Sequence, residues 1–460
     1  MARMTSVDVA RLAALARQAN DELVNRIVPF WLALEDKKHG GHFSSVDFNG
    51  RIDQNEKKTA VFVARLLFFF SEVYRVIGHP EAAVQAARTK RFLLDRLEDR
   101  VHGGLFWSVT ANGQPCEVEK HLYAQAFGIY GLSAYARAFA DAEAAEAALR
   151  IFRVIAERAF GRYGFTEFFD RSWREAISCP KPSRKLRVLK PLRASIRAVV
   201  GRKAATAARR VFSATAERAG RYGVPSKQPR SSMLQLAPRT MNTHLHALEA
   251  LTLLAALDLD SEPTMMLATL VRLVLDHFLS ADKTHSHALL TEKLEPLPGS
   301  ISFGHDIEAC WLFEKAAEAL ADPGVQAEVR AAVATLARAT IAAAQMDDGS
   351  FILECQADGT PDPWRVWWVQ AEALVGLVNE AERGGMPDGL ARAERLWDYI
   401  AAHMRDPAGD WYARVGPTGV PDCTMRKVEP WKEPYHQARA CMELIERAER
   451  CNRGRAAQPG

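Results

Sequence analysis

The chain has no pair of cysteines at metal-binding spacing; its seven cysteines, at 116, 179, 310, 355, 423, 441 and 451, are scattered and odd in number. That usage reads as reduced thiols, not as a disulfide frame or a zinc ribbon. No His-Glu-x-x-His helix, no clustered set of carboxylate ligands and no glycine-rich phosphate cradle is present, so zinc hydrolase and nucleotide-binding motifs are excluded and no metal or cofactor is implied. No uncharged apolar run approaches ~20 residues, and the opening MARMTSVDVARLAALARQ has no stretch suited to a signal peptide. A membrane span is therefore not expected, and a cytoplasmic location is.

What is present is ordinary globular material, 48 % hydrophobic and 25 % charged over 460 residues, with ample apolar surface to bury. The formal net charge of +4 hides an asymmetry. Residues 181–230 hold 15 Lys or Arg against one acid, Glu217. That stretch carries +14 and leaves about −10 for the remainder, so a general affinity of the whole surface for nucleic acid is not indicated.

A short element recurs along the chain: small or Gly residues, an apolar and aromatic alternation, then a turn. It reads HGGHFSSVDFNGRI from His39, HGGLFWSVTANGQP from His102, YGFTEFFDRSW from Tyr163, DDGSFILECQADGTP from Asp347 and AGDWYARVGPTGVP from Ala408, with a weaker HALLTEKLEPLP from His287. Period-2 alternation ending in Asn-Gly, Asp-Gly or Thr-Gly is a hairpin signal. Between copies lie two segments of helical apolar spacing, such as Val61, Leu66, Phe69, Val73 and then Ala83, Ala86, Phe92, Leu93. Six hairpins and twelve helices follow. A helix pair cannot bury its apolar face alone, so the array either stacks as an open solenoid or closes. Aromatic loops repeated at one end look like the wall of a pocket, and the expected fold is an all-α (α/α)6 barrel with hairpin-like loops at one end.

The interval from Tyr163 to His287 is about twice the repeat, and its excess coincides with the basic stretch. Residues 176–232 therefore read as an insertion within a single barrel domain spanning 1–460. Leu186, Leu189, Leu192, Ile196 and Val199 follow helical spacing there, interleaved with Arg187, Lys190, Arg193 and Arg197. Such a segment can meet anionic lipid, nucleic acid or an acidic partner; a solvated loop folded against the acidic remainder is the expected form.

Polar groups recur at inward-facing positions of several repeats. Asn242, His246 and Glu249 share one helical face, and His244 points elsewhere. His305, Glu308 and Trp311 share another, where the carboxylate can hold the imidazole and the indole offers a flat apolar surface. Trp367 and Trp368 precede Glu372, a costly set to place in a core with every polar atom paired. Arg65 sits within Val61, Phe62, Leu66, Leu67, Phe68 and Phe69, and a guanidinium there needs an acceptor. Tyr123 and Phe127 lie four apart, and Trp431 and His436 open the closing helix. Each signal alone fits a satisfied core group equally well; convergence of a ring of helices on one axis makes them a candidate sugar site.

The motifs PFW from Pro29, the GGHF hairpin, Arg65 in its helix, YAQAF from Tyr123, NTHLHALEA from Asn242, GHDIEACW from Gly304, WWVQAE from Trp367 and WKEPYH from Trp431 resemble the N-acylglucosamine 2-epimerase superfamily, most of all its cellobiose 2-epimerase branch. The resemblance covers nearly the whole chain outside the insertion. It implies an (α/α)6 barrel and metal-independent interconversion of sugars through a cis-enediolate. By motif position it implies His305 and His436 as the proton-transfer pair, Arg65 as the stabiliser of the enediolate, and Asn242 and His246 as holders of the open sugar that assist ring opening. Glu308 would orient His305; Trp311, Trp367, Trp368 and Glu372 would shape the subsites, and Tyr123, Phe127 and Trp431 would line the sugar. Arginine suits a developing oxyanion, and histidine can act as acid or base near neutral pH.

The expected activity is inversion of carbon 2 in the reducing-end glucose or mannose unit of a free sugar, a cellobiose-type disaccharide or a monosaccharide. The alternatives are an aldose-ketose isomerase, an inverting glycoside hydrolase using Glu308 and Glu372, and a non-catalytic interaction protein that works through the basic insertion.

Overall fold

The computed structural model describes residues 5–175 and 239–456; the basic insertion expected at 176–232 lies outside the described residues. Within them the chain forms twelve helices: α1 (Ser6–Glu22, running on through Leu32), α2 (Ala60–Ile77), α3 (Pro80–Phe92), α4 (Leu122–Phe139), α5 (Ala142–Arg158), α6 (Met241–Ala255), α7 (Glu262–Leu273), α8 (Phe303–Leu320), α9 (Pro323–Ala344), α10 (Trp367–Arg383), α11 (Gly389–Tyr399) and α12 (Tyr435–Ala456). Helix α2 is buried at every residue from Ala60 to Val73, as a helix apolar on all sides must be. By contrast α5 buries one stripe, Ala144, Ala148, Ile151, Phe152 and Ile155, and turns charge outward. The even-numbered helices are inner and the odd-numbered ones outer.

Each inner helix packs on the next, α2 on α4, α4 on α6, α6 on α8, α8 on α10 and α10 on α12, and α12 returns to α2. The ring is closed. Short strands repeat the closure at one end. The two residues before each inner helix pair antiparallel with the hairpin of the following repeat: Lys58–Thr59 with Ser108–Val109, Lys120–His121 with Phe168–Phe169, Arg239–Thr240 with Leu289–Leu290, Ile301–Ser302 with Glu354–Cys355, and Arg365–Val366 with Arg414–Val415. A bridge from Val428 back to Val46 completes the circle.

All six expected hairpins are present, and their tips explain why two copies are hard to recognise in the sequence. At one equivalent position the backbone takes positive φ in Gly50, Gly113, Gly359 and Gly419, but also in Trp173 (φ 64°) and Leu294 (φ 66°). A left-handed tip favours glycine, so the copies that carry Trp or Leu there lose the turn signature while keeping the turn.

Three outer helices end in a single π-helical turn just before their hairpins, Leu93–Leu97, Val274–Phe278 and Ile400–Met404, and α1 carries the same turn internally at Leu23–Ile27 before running on to Leu32. Periodicity at 3.6 residues does not reveal such a turn.

Candidate active site

The site is built from equivalent positions on the inner helices. In the first turn a polar side chain reaches back to the carbonyl four residues earlier: Gln125 to His121 (3.4 Å), His244 to Thr240 (2.8 Å), Gln370 to Val366 (3.2 Å) and Gln437 to Glu433 (3.2 Å). The same side chains pin the hairpins. Gln125 bonds both the N–H and the C=O of Leu105, Gln370 does so with Phe351, and His244 accepts from the N–H of Phe165. Asp306 holds the equivalent place in α8 and accepts from the N–H of Ser286 at 3.0 Å. His244, set apart from its neighbour His246 in the sequence reading, is this kind of structural group.

Two residues further along, the chain turns its side chains toward the axis: Phe127, His246, Glu308, Glu372 and Arg439, joined by Arg65 from α2. One residue before the reach-back position stand His305 in α8 and His436 in α12. The two histidines are thus equivalent residues of one repeat, on helices separated by α10.

Arg439 is the central cation. Its Nη2 lies 2.6 Å from Glu308 Oε1 and 2.7 Å from Glu372 Oε1, and its Nη1 bonds Glu249 and the hydroxyl of Tyr435. All five residues are buried. Burial first, and then repulsion by Glu372, pushes Glu308 well above the usual carboxylate range. Burial also raises Glu372, against the pull of Arg439. In Glu249 burial is overcome by Arg439, His246 and Tyr435, and its pKa falls to about 2. Glu308, Glu372 and His436 bring ligand-type atoms within 4.8 Å of one another. The Arg439 guanidinium supplies positive charge to both carboxylates, so the trio stands within an ion cluster.

Two of the three histidines ride on this base. His436 Nδ1 lies 2.7 Å from Glu372 Oε1, and His246 Nδ1 lies 3.0 Å from Glu249 Oε2. His305 Nδ1 lies 2.7 Å from Ser302 Oγ. Trp368 sits between the two equivalent histidines, with ring centroids 4.9 Å from His305 and 5.6 Å from His436. Burial lowers His305 to about 3 and His246 to about 4, and lowers His436 too, helped there by the charges of Arg65 and Arg439. All three rings are neutral near pH 7.

Arg65 finds the acceptor its apolar surroundings demand. Its Nη1 pairs with Glu433, its Nη2 donates to Tyr123 Oη at 2.8 Å, and the guanidinium lies 4.1 Å from the Phe127 ring centroid. Trp431 packs on Tyr123 at 5.6 Å and on Trp107 at 5.8 Å. Asn242 is half-buried at the start of α6.

Three expected placements differ. Glu308 is not the partner of His305: it turns inward to Arg439, while the imidazole, in the first turn, lies over the helix-capping Ser302. Trp311 lies under the site, buried, donating from Nε1 to Glu372 Oε2 at 3.1 Å. Trp367 faces away into the core, where its Nε1 has no partner among the described residues and Lys432 lies 5.5 Å from its ring. The reading from sequence gave no role to Arg439, Glu433, Tyr435 or Ser302. The run Trp-Lys-Glu-Pro-Tyr-His-Gln-Ala-Arg from Trp431 holds three of these, Tyr435 beside His436 and Glu433 and Arg439 three residues to either side of it, a signal that was available.

A closed (α/α)6 ring whose hairpin end holds buried histidines, carboxylates and arginines defines the class. Comparison with known proteins identifies the family: the model of N-acylglucosamine 2-epimerase matches residues 41–184 and 192–440, and the chain belongs to that family. It is 30 % identical over 438 residues to the cellobiose 2-epimerase of Dictyoglomus turgidum, covering 95 % of this chain and 99 % of the relative. Similarity to the Bacteroides fragilis cellobiose 2-epimerase is also 30 %, over 94 % of this chain and 98 % of the relative. The solved cellobiose 2-epimerase of Bacillus thermoamylovorans superposes with a TM-score of 0.79 at 30 % identity, covering 95 % of this chain and all of the other. A D-mannose isomerase structure shares the fold at a TM-score of 0.71 and 15 % identity. Among the described residues no helix is long and apolar enough to cross a membrane.

Proposed function

We propose that this protein is a carbohydrate 2-epimerase, inverting carbon 2 of the reducing-end glucose or mannose unit of a cellobiose-type sugar. One observation carries the reading: His305 and His436 flank Trp368 on equivalent first turns, each with Nδ1 already engaged. Each then has only Nε2 to offer a substrate. Inverting a carbon alpha to a carbonyl requires a proton to leave one face and another to arrive on the opposite face, and two neutral imidazoles supply both. Arg65, held by Glu433 and Tyr123, meets the oxyanion that develops on the enediolate. Trp368 and Trp431 offer rings for the sugar to stack on, Phe127 backs the guanidinium, and Asn242 with His246 holds the opened chain.

The cluster of Glu308 and Glu372 speaks against glycoside hydrolysis. Inverting hydrolases hold two carboxyl groups ~6.5–9.5 Å apart across the bond, whereas these two share one Arg439 Nη2.

Proton NMR of the purified protein with cellobiose, glucose and mannose in deuterated water, with chelator present, tests the proposal. The 2-epimer should appear with deuterium at carbon 2. Ketose accumulating ahead of the epimer would point to an isomerase, and free glucose from cellobiose to a hydrolase.

A further inference from the structure

His305 and His436 occupy equivalent positions, yet their Nδ1 atoms meet different chemistry. His436 faces the carboxylate of Glu372, which also receives Arg439 at 2.7 Å and the Trp311 indole N–H at 3.1 Å. Both oxygens of this carboxylate already accept, Oε1 from Arg439 and Oε2 from Trp311, and as an acceptor toward His436 as well it puts the ring hydrogen of neutral His436 on Nδ1 and the lone pair on Nε2. His305 faces a hydroxyl. Ser302 caps α8 and accepts the backbone N–H of His305 at 3.4 Å, and unlike a carboxylate its hydroxyl keeps a hydrogen that it can donate to Nδ1 at 2.7 Å. An Nδ1 that accepts puts the ring hydrogen of His305 on Nε2.

We propose that Ser302 is a positioning residue that holds His305 in the Nε2–H form, so that the resting enzyme carries one base, His436, and one acid, His305. The inference rests on the two-histidine reading above. His436 Nε2 takes the carbon 2 proton, the electrons of that C–H bond pass into the carbonyl to give the enediolate, and the His305 Nε2–H bond breaks as the new C–H bond forms. The negative charge left on the His305 ring is met by the Ser302 O–H at Nδ1. It is discharged when the proton collected by His436 returns through solvent. One epimer reacts directly from this resting state; the other waits until the two rings have exchanged protons.

Initial-rate NMR in deuterated water, starting separately from cellobiose and from its 2-epimer, distinguishes return of deuterium to the same face from inversion. Ser302→Ala should keep same-face exchange while the ratio of inversion to exchange falls at least about tenfold for the directly reacting epimer, part of the ~10²–10⁴-fold that a positioned acid supplies. Ser302→Thr keeps the hydroxyl and should keep the wild-type ratio. Ser302→Asp retains a good helix cap but presents only acceptors; it should turn His305 into a second base and raise same-face exchange in the opposite epimer. If Ser302→Ala fails to fold, the Thr and Asp variants carry the comparison. Unchanged ratios for both epimers, with exchange and inversion slowed equally, would mean a capping role alone and would overturn the proposal. Wild-type protein that places no deuterium at carbon 2 would remove the epimerase reading and this proposal together.

Discussion

Arg65 and Glu433 meet across the closure of the ring, 368 residues apart in sequence, as a buried ion pair. The contact joins α2 to the residue two before α12, so the arginine that would stabilise the enediolate is held by the same junction that shuts the barrel. Glu433→Gln removes the charge while keeping the shape. It should lower kcat/KM for the sugar about tenfold or more by letting the guanidinium drift, and Arg65→Lys, which lacks the planar fork, should do at least as much. Steady-state kinetics on both variants, with circular dichroism to confirm the fold, checks this.

Arg439 should be the least replaceable residue of the site. Arg439→Met leaves Glu249, Glu308 and Glu372 buried without their shared partner, a change of the kind that costs about 3–5 kcal/mol. Urea unfolding monitored by tryptophan fluorescence would measure it, and a midpoint equal to wild type would contradict the central role given to this cation.

Gly304 leaves room for Trp368: a Cβ built there would lie 2.3 Å from the indole Cη2. Gly304→Ala should therefore push the ring out from between the two histidines. The expected result is a folded protein whose epimerisation rate falls about 10²-fold, the scale of an ångström of misplacement. Unaltered kinetics would mean that Trp368 does not order the site.

Acid should destabilise the fold by forcing its buried histidines to take up protons. Burial lowers His42 to about 3, His244 to about 4, His246 to about 4 and His305 to about 3. The unfolded chain, with histidines near 6.5, binds more protons over that interval, so their contribution is whole above about pH 6.5 and is lost as pH falls toward 4. Asp306 and Glu167, each raised to about 7 by burial, lean the opposite way. His42 isolates the effect, because both of its ring nitrogens are buried without hydrogen-bond partners among the described residues and it stacks on Phe70 at 5.1 Å. His42→Phe should raise the unfolding free energy measured in urea by about 1 kcal/mol at neutral pH and flatten its pH dependence below 6.5.

Much of the architecture was legible because a repeat advertises itself. Hairpins with glycine tips and helices of two kinds specify alternating inner and outer layers. Trp173 and Leu294 blur the signal, since they adopt the turn without the residue that usually marks it. For the site, the sequence could say that Arg65 needed an acceptor but not that Glu433 would supply it, because adjacency across a closed ring has no local trace. The same limit hid Arg439, whose partners come from α6, α8 and α10. The pairing of Glu308 with His305 failed for a local reason: at helical spacing both were in reach, and the stronger attraction of a guanidinium decided.

The bridge from Val428 to Val46 repeats the strand pairing found at the other five joints, and α1 lies alongside α12. The molecule consequently has no mechanical beginning. Joining Ser6 to the end of α12 by a short flexible tether and opening the chain at the exposed hairpin tip near Asp358 would give a circular permutant with every inter-helix contact retained. The order in which the six helix pairs are synthesised could then be varied independently of the structure they form.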